Sequence, residues 1–187
     1  MMRWMPIGAA TLLLALAPAC QKQPAQTATA ETVPGAAEMM SSDDKEFMTK
    51  AAQGGMLEVA LGQQVASKAT NPDVKAFASK VAADHATAND ELKQLAANKG
   101  LSLPTQLKED HQEDLAEISK LSGAKLDAKY AKEMVEDHEK DVKEFREAAS
   151  EVKDPELRAW AAKTLPVLES HLEEARQIKA KVAPESD

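Results

Sequence analysis

Four ionisable residues interrupt apolar patterns that otherwise predict buried helix faces. Glu58, His85, His138 and His171 each stand where spacings of three and four residues place apolar side chains before and after them. An ionisable group buried in such a seam costs several kcal/mol unless it is hydrogen-bonded, paired or bound to a metal ion. Imidazole with carboxylate suits iron, zinc, copper or manganese better than calcium or magnesium. These residue types therefore predict a transition-metal site.

Two further carboxylates lie one helical turn from the predicted ligands and on the same faces. Asp141 follows His138 by three residues, and Glu174 follows His171 by three. We expect them as secondary metal ligands or as groups that orient the histidines. The other interpretation is structural: the histidines are hydrogen-bonded residues at the seam edges, and the protein has no cofactor.

Aspartates also precede two of the histidines directly, Asp84 before His85 and Asp137 before His138. One step along a helix is a rotation of about 100°. We therefore expect Asp84 and Asp137 to contact adjacent helices or water.

The elements that must position these residues are helices. Ala, Leu, Glu and Lys dominate after residue 42, and no window alternates apolar with polar residues long enough to predict a strand. Caps and stops predict long helices over 42–70, 72–99, 125–152 and 155–182, and a short charged helix over 105–121. Two hairpins joined by a traversing segment indicate an all-α four-helix bundle with a short connecting helix in its long crossover.

The positions along each hairpin bring the predicted ligands to similar levels. Glu58 lies about as far before the turn at Asn71 as His85 lies after it. His138 and His171 are placed in the same way about the second turn. Each antiparallel pair should therefore meet at one level. This geometry permits one four-residue site without requiring it.

The N-terminus has the features of an export signal over residues 1–19. Arg3 is the positive flank, residues 7–16 are apolar, and Ala17-Pro18-Ala19 precedes Cys20. The motif resembles a bacterial lipobox, which predicts that Cys20 is acylated and anchors the protein in a membrane. The same small residues also satisfy the rule for ordinary signal cleavage, which would give a soluble periplasmic or secreted protein.

The next residue, Gln21, supplies no acidic signal for retention at an inner membrane. The expected location is therefore periplasm-facing, with an outer-membrane lipid anchor. Residues 20–42 are rich in Ala, Thr, Pro and Gln and predict a disordered tether. The bundle domain is predicted over 43–183 and a short tail over 184–187. A formal net charge of -8 argues against nucleic acid as a partner.

Several short segments resemble one bacterial family, called domain of unknown function 4142. They are Ala52-Gln53-Gly54-Gly55-Met56-Leu57-Glu58, Ala83-Asp84-His85, Met134-Val135-Glu136-Asp137-His138 and Leu165-Pro166-Val167-Leu168-Glu169-Ser170-His171-Leu172. The resemblance covers nearly all of residues 43–182. It implies an exported protein, often described as an outer-membrane protein, with a ferritin-like fold.

The resemblance does not supply an activity, because the family has no established function. The Glu-x-x-His motif of di-iron bundles is absent, since Ala82, Val135 and Leu168 stand three residues before the histidines. We therefore predict a bundle that binds a transition metal or small ligand at its Glu/His cluster. The alternative is a non-catalytic envelope stress or interaction protein. An enzyme ranks third, because the chain shows no nucleophile-base arrangement and no phosphate-binding loop.

Overall fold

The protein consists of five helices and no strands over the residues that the structure, a computed structural model, describes, which are 40–183. The helices are α1 (Ser42–Lys68), α2 (Pro72–Asn98), α3 (Glu109–Ser119), α4 (Gly123–Glu151) and α5 (Pro155–Val182). The predicted all-α class is confirmed, and so is the four-helix bundle with a short connecting helix. Within the described range, no helix is both long enough and apolar enough to cross a bilayer.

Some sequence predictions concern residues outside this range. The signal segment, Cys20 and the tether up to residue 39 are among them, as is the tail over 184–187. These predictions remain predictions.

The helix boundaries follow from local capping chemistry. The side chains of Ser41, Asn71 and Asp154 accept hydrogen bonds from backbone N–H groups in the first turns of α1, α2 and α5. Proline follows directly at the start of α2 and of α5, where no backbone donor is needed. Gly100 has φ 68°, a left-handed conformation that ends α2 as its position in the sequence predicted.

The connecting helix begins later than predicted, at Glu109 instead of residue 105. The buried side-chain amide of Gln53 in α1 explains the difference. It donates to the Gln106 carbonyl at 2.9 Å and accepts from the Lys108 backbone N–H at 3.0 Å. These contacts hold residues 106–108 as extended connector on the surface of α1.

Two buried aspartates tie the hairpins together at opposite ends. Asp127 at the start of α4 accepts hydrogen bonds from the backbone N–H groups of Thr70 and Asn71 in the first turn. Asp44 at the start of α1 accepts from those of Lys153 and Asp154 in the second turn. The start of α4 therefore lies beside the first turn, and the connector runs the length of the bundle.

Two glycines in α1 leave space that α2 occupies. A Cβ atom on Gly55 would lie 2.3 Å from Asn89 Oδ1, and one on Gly62 would lie 2.6 Å from the Ala78 carbonyl oxygen. Gly55 therefore leaves room for the Asn89 side chain, and Gly62 lets the backbones of α1 and α2 approach. α1 packs mainly on α2 and α4 mainly on α5.

Candidate metal centre

The four predicted seam residues come together in the middle of the bundle, one from each long helix. Glu58 of α1 is 3% exposed and His85 of α2 is 7% exposed, whereas His138 of α4 and His171 of α5 are fully buried. The centroids of the three imidazole rings are 5.3 to 5.8 Å apart. One ring nitrogen from each histidine lies within 4.8 Å of those from the other two. This buried group of three histidines could hold a metal ion.

The Glu58 carboxylate contacts two of these rings. Its Oε2 lies 2.8 Å from His85 Nε2, and its Oε1 lies 3.4 Å from His138 Nδ1. The carboxylate oxygens and His85 Nε2 do not have the alignment of a hydrogen bond with any described group. The contact between Glu58 and His85 is therefore a buried ion pair whose alignment is poor for a hydrogen bond.

The ring of His138 is oriented by the backbone of its own helix. Its Nδ1 lies 2.9 Å from the Met134 carbonyl oxygen. A carbonyl only accepts hydrogen bonds, so Nδ1 carries the proton and Nε2 of the neutral ring has a free lone pair. That Nε2 faces the centre of the cluster.

The ring of His171 is oriented by Asp84, whose Oδ2 lies 2.9 Å from Nε2. A carboxylate also only accepts, so Nε2 carries the proton and Nδ1 has the lone pair. Phe77 packs edge-on against the same ring at a centroid distance of 6.1 Å. Hydrogen bonding and packing therefore both fix the direction of Nδ1.

These two unprotonated nitrogens lie close together. His138 Nε2 and His171 Nδ1 are 3.3 Å apart. Two ligand nitrogens at about 2.05 Å from a tetrahedral zinc ion would be separated by about 3.4 Å. The pair is already at the separation that a shared metal ion requires.

The pKa values of the four residues are shifted in different directions. Burial lowers the pKa of His138 and lowers that of His171 to about 4, although Asp84 acts in the opposite direction on His171. Burial also acts to lower the pKa of His85, but the Glu58 carboxylate outweighs it and the net shift is upward. Burial would raise the pKa of Glu58, yet the adjacent histidines, chiefly His85, lower it to about 2. Glu58 is therefore ionised at neutral pH, and two of the three rings resist protonation.

The two secondary carboxylates differ in their placement. Asp141 is half-buried and lines a small cavity of about 30 Å³ together with Glu58 and His85. Burial and the nearby Glu58 charge raise the pKa of Asp141 well above its usual range. Glu174 instead pairs with Lys80 at 2.7 Å and lies outside the three-histidine group.

The sequence predicted that Asp84 contacts an adjacent helix or water, but not that it orients a histidine of the site. The structure shows that it reaches across to α5 and bonds to His171, and not to the histidine that follows it in sequence. Asp137, the corresponding residue before His138, pairs with Lys140 instead. The sequence alone offers no signal that separates these two aspartates, because the difference depends on which helix packs beside each one.

Comparisons with known proteins agree on a helical fold without an established activity. No curated protein matches the chain. A crystal structure of a DUF305 fragment from Deinococcus radiodurans is similar in fold, with a TM-score of 0.65 and 11% sequence identity over 76% of this chain and 98% of that one. The family described as "Domain of unknown function (DUF4142)" matches residues 29–178. The chain therefore belongs to this DUF4142 family.

Proposed function

We propose that the protein binds one divalent transition-metal ion in the core of its bundle. His85, His138 and His171 supply imidazole nitrogens, and the Glu58 carboxylate supplies a negative charge beside His85 and His138. The observation that carries this proposal is that two unprotonated nitrogens, His138 Nε2 and His171 Nδ1, lie 3.3 Å apart. Two acceptors at that distance repel unless a proton or a cation lies between them.

A metal ion suits this position better than a proton. Burial makes protonation of His138 and of His171 unfavourable, as the downward shift of each pKa shows. A divalent ion instead uses both lone pairs, and the ionised Glu58 offsets part of its charge. The partners on the far nitrogens, the Met134 carbonyl and Asp84, are of the kind that orient metal-bound histidines in proteins.

The ligand types narrow the choice of metal. Three imidazoles beside a carboxylate charge suit transition metals such as zinc, copper, iron and manganese. At equal availability copper and zinc would bind more tightly than iron or manganese. We take zinc and copper as the first ions to test.

The structure gives the alternative of an interaction protein less support. Among the described residues, Val167 is the exposed large hydrophobic side chain, at 38%. A single side chain is far smaller than the apolar patches that mark docking surfaces. We also propose that the bundle works outside the cytoplasm, as the sequence of residues 1–20 suggests.

Elemental analysis of the purified protein tests the metal proposal. The parent is incubated with zinc or copper, dialysed extensively and compared with His138→Gln/His171→Gln. His111→Gln is the matched control, because His111 lies in α3 and outside the three-histidine group. We expect about one ion per chain in the parent and the control, and loss of the ion in the double variant.

Thermal unfolding provides a second measurement on the same samples. Zinc should raise the Tm of the parent and of His111→Gln, because an ion that binds only the folded state stabilises it. The double variant should show no such increase. A parent that retains no metal, or a double variant that retains as much as the parent, contradicts the proposal.

A further inference from the structure

The small cavity beside His85 is also lined by polar residues that the metal centre does not use. This inner cavity, of about 30 Å³, has Asn89, Trp160 and Thr164 in its wall in addition to Glu58 and His85. A space of this size holds about two water molecules, or a ligand of about two or three non-hydrogen atoms. The inner cavity is therefore large enough for a small ligand next to the proposed metal ion.

Trp160 brings a buried hydrogen-bond donor to the wall of the inner cavity. The residue is 8% exposed, and its indole Nε1 has no hydrogen-bond partner among the described residues. Its ring packs against those of Phe145 and Phe47, at centroid distances of 5.4 and 6.3 Å. An indole N–H can only donate, and a buried donor is uncommon unless a protein group, a water molecule or a ligand accepts from it. Trp160 therefore points to an acceptor that the protein itself does not supply.

Asn89 adds an amide group to the same wall, and α1 loses helix stability to make room for it. Asn89 is 8% exposed, and a Cβ atom on Gly55 would lie 2.3 Å from its Oδ1. A glycine inside a helix costs up to about 1 kcal/mol relative to alanine. An asparagine amide both donates and accepts hydrogen bonds. The sequence thus keeps a polar side chain at the inner cavity although α1 would be more stable without the glycine.

The proposed metal centre leaves a position for an additional ligand. Three histidines supply its nitrogen ligands, and zinc ions with three protein ligands hold water or substrate at the fourth position. His85, one of the three, also lines the inner cavity. A divalent ion beside the single charge of Glu58 keeps a net positive charge, which favours a small anion. Such an anion would bind the ion and accept from Trp160 at the same time.

Two acidic residues of the inner cavity, Asp141 and Glu144, are compatible with an anion. Burial and the Glu58 charge raise the pKa of Asp141 well above its usual range, which favours the protonated carboxyl, a hydrogen-bond donor. Glu144 is exposed, so solvent and salt screen its charge. Neither residue therefore opposes an anion as a buried carboxylate would.

An opening of about 170 Å³ lies next to the inner cavity, between α2 and α5. It shares Ala88 and Thr164 with the inner cavity. Its carboxylates are engaged, because Glu91 pairs with Lys163 at 2.6 Å and Asp84 bonds to a histidine of the site. This opening therefore has little uncompensated negative charge to repel an anion.

We propose that the inner cavity binds a small monoanion of about two or three non-hydrogen atoms, which ligates the metal ion beside His85 and accepts a hydrogen bond from Trp160 Nε1. The inference rests on the proposed function and adds a class of ligand to it. Trp160 binds and orients this ligand, and Asn89 forms part of the wall around it. Azide is a probe of matching size and charge.

Azide binding to the copper-loaded protein tests this site, because azide bound to copper(II) gives a charge-transfer absorption band. The parent and Trp160→Phe are loaded with copper, analysed for copper content and titrated with sodium azide. The substitution keeps an aromatic ring and removes the donor. We expect the azide affinity per bound copper to fall by about tenfold or more, as for the loss of a hydrogen bond to a charged ligand.

Two further variants make the test specific, and thermal unfolding of each loaded protein checks its fold. Ala88→Leu fills the space next to the opening without removing a metal ligand, so it should weaken or abolish azide binding. Phe47→Leu alters the packing of the Trp160 ring but keeps its donor, so its azide affinity should match that of the parent. If Trp160→Phe does not fold, Ala88→Leu decides the result.

The possible results separate this ligand site from the metal site. A parent that retains copper but shows no azide band overturns the inference and leaves the proposed function in place. Azide bound as tightly by Trp160→Phe or by Ala88→Leu as by the parent also overturns the inference alone, as does equal weakening in Phe47→Leu and Trp160→Phe. A parent that retains no copper overturns the proposed function and this inference together.

Discussion

Asp84 controls the direction of one proposed ligand without contacting the ion itself. Its carboxylate holds the proton of His171 on Nε2, and this leaves Nδ1 as the nitrogen that faces His138. The chemistry of the centre therefore depends on a residue outside it, because a rotated or protonated ring would offer no lone pair.

We predict that Asp84→Asn weakens metal binding by roughly tenfold or more, since loss of an orienting carboxylate typically reduces affinity 10- to 100-fold. The change keeps the shape of the side chain but removes the charge that favours the Nε2 proton. Competition with a chromophoric chelator gives the affinity. Asp90→Asn, an exposed change on the same helix, should bind as the parent does. An equal affinity for Asp84→Asn and the parent would remove Asp84 from the proposal.

The sequence predicted the residues of the proposed site but not the groups that orient them. Glu58 and the three clustered histidines were predicted because each interrupts an apolar stripe, and a stripe depends only on local periodicity. The Met134 carbonyl and Asp84 were not predicted as orienting groups. A backbone acceptor has no sequence signature, and the contact of Asp84 depends on how α2 and α5 are rotated against each other.

At the scale of helices, individual side chains determine the conformation of the connections as well as that of the helices. Gln53 holds the connector, and Asp44 and Asp127 hold the two turns. Capping residues and prolines gave the starts of α2 and α5 from sequence, because those signals act within four residues. The start of α3 was misplaced, because it depends on Gln53, which lies more than fifty residues earlier in the chain.

We predict that Asp127→Ala lowers the free energy of unfolding by about 3 kcal/mol, because it removes a buried carboxylate that accepts three hydrogen bonds from Thr70 and Asn71. Asp44→Ala, which removes two such bonds at the other turn, should lower the free energy of unfolding by about 2 kcal/mol. Urea denaturation measures both values.

The matched control for these variants is Glu136→Ala, an exposed carboxylate on the same helix as Asp127. Its ion pair with Lys132 is a surface contact, so the substitution should lower the free energy of unfolding by less than about 0.5 kcal/mol. If Asp127→Ala were as mild as this control, the turns would not need their buried aspartates.

At the scale of the whole chain, the expected export signal leads to a prediction that does not depend on the bundle. If Cys20 is acylated, the protein will sediment with membranes and incorporate labelled fatty acid. We predict that Cys20→Ser moves it to the soluble fraction, because stable anchoring depends on the attached acyl chains. A parent already found in the soluble fraction would favour ordinary signal cleavage instead.

The close packing within each hairpin has a consequence for how the molecule opens. Glu58 and His85 belong to the first hairpin, and His138 and His171 belong to the second. Contacts between the hairpins are fewer than those within them, so the metal-free protein should open in parts, each hairpin with its own free energy. An ion held by the histidines of α2, α4 and α5 would join the two hairpins, because neither could then open without breaking coordination. Amide hydrogen exchange should therefore report two cooperative units in the metal-free protein and one in the loaded protein.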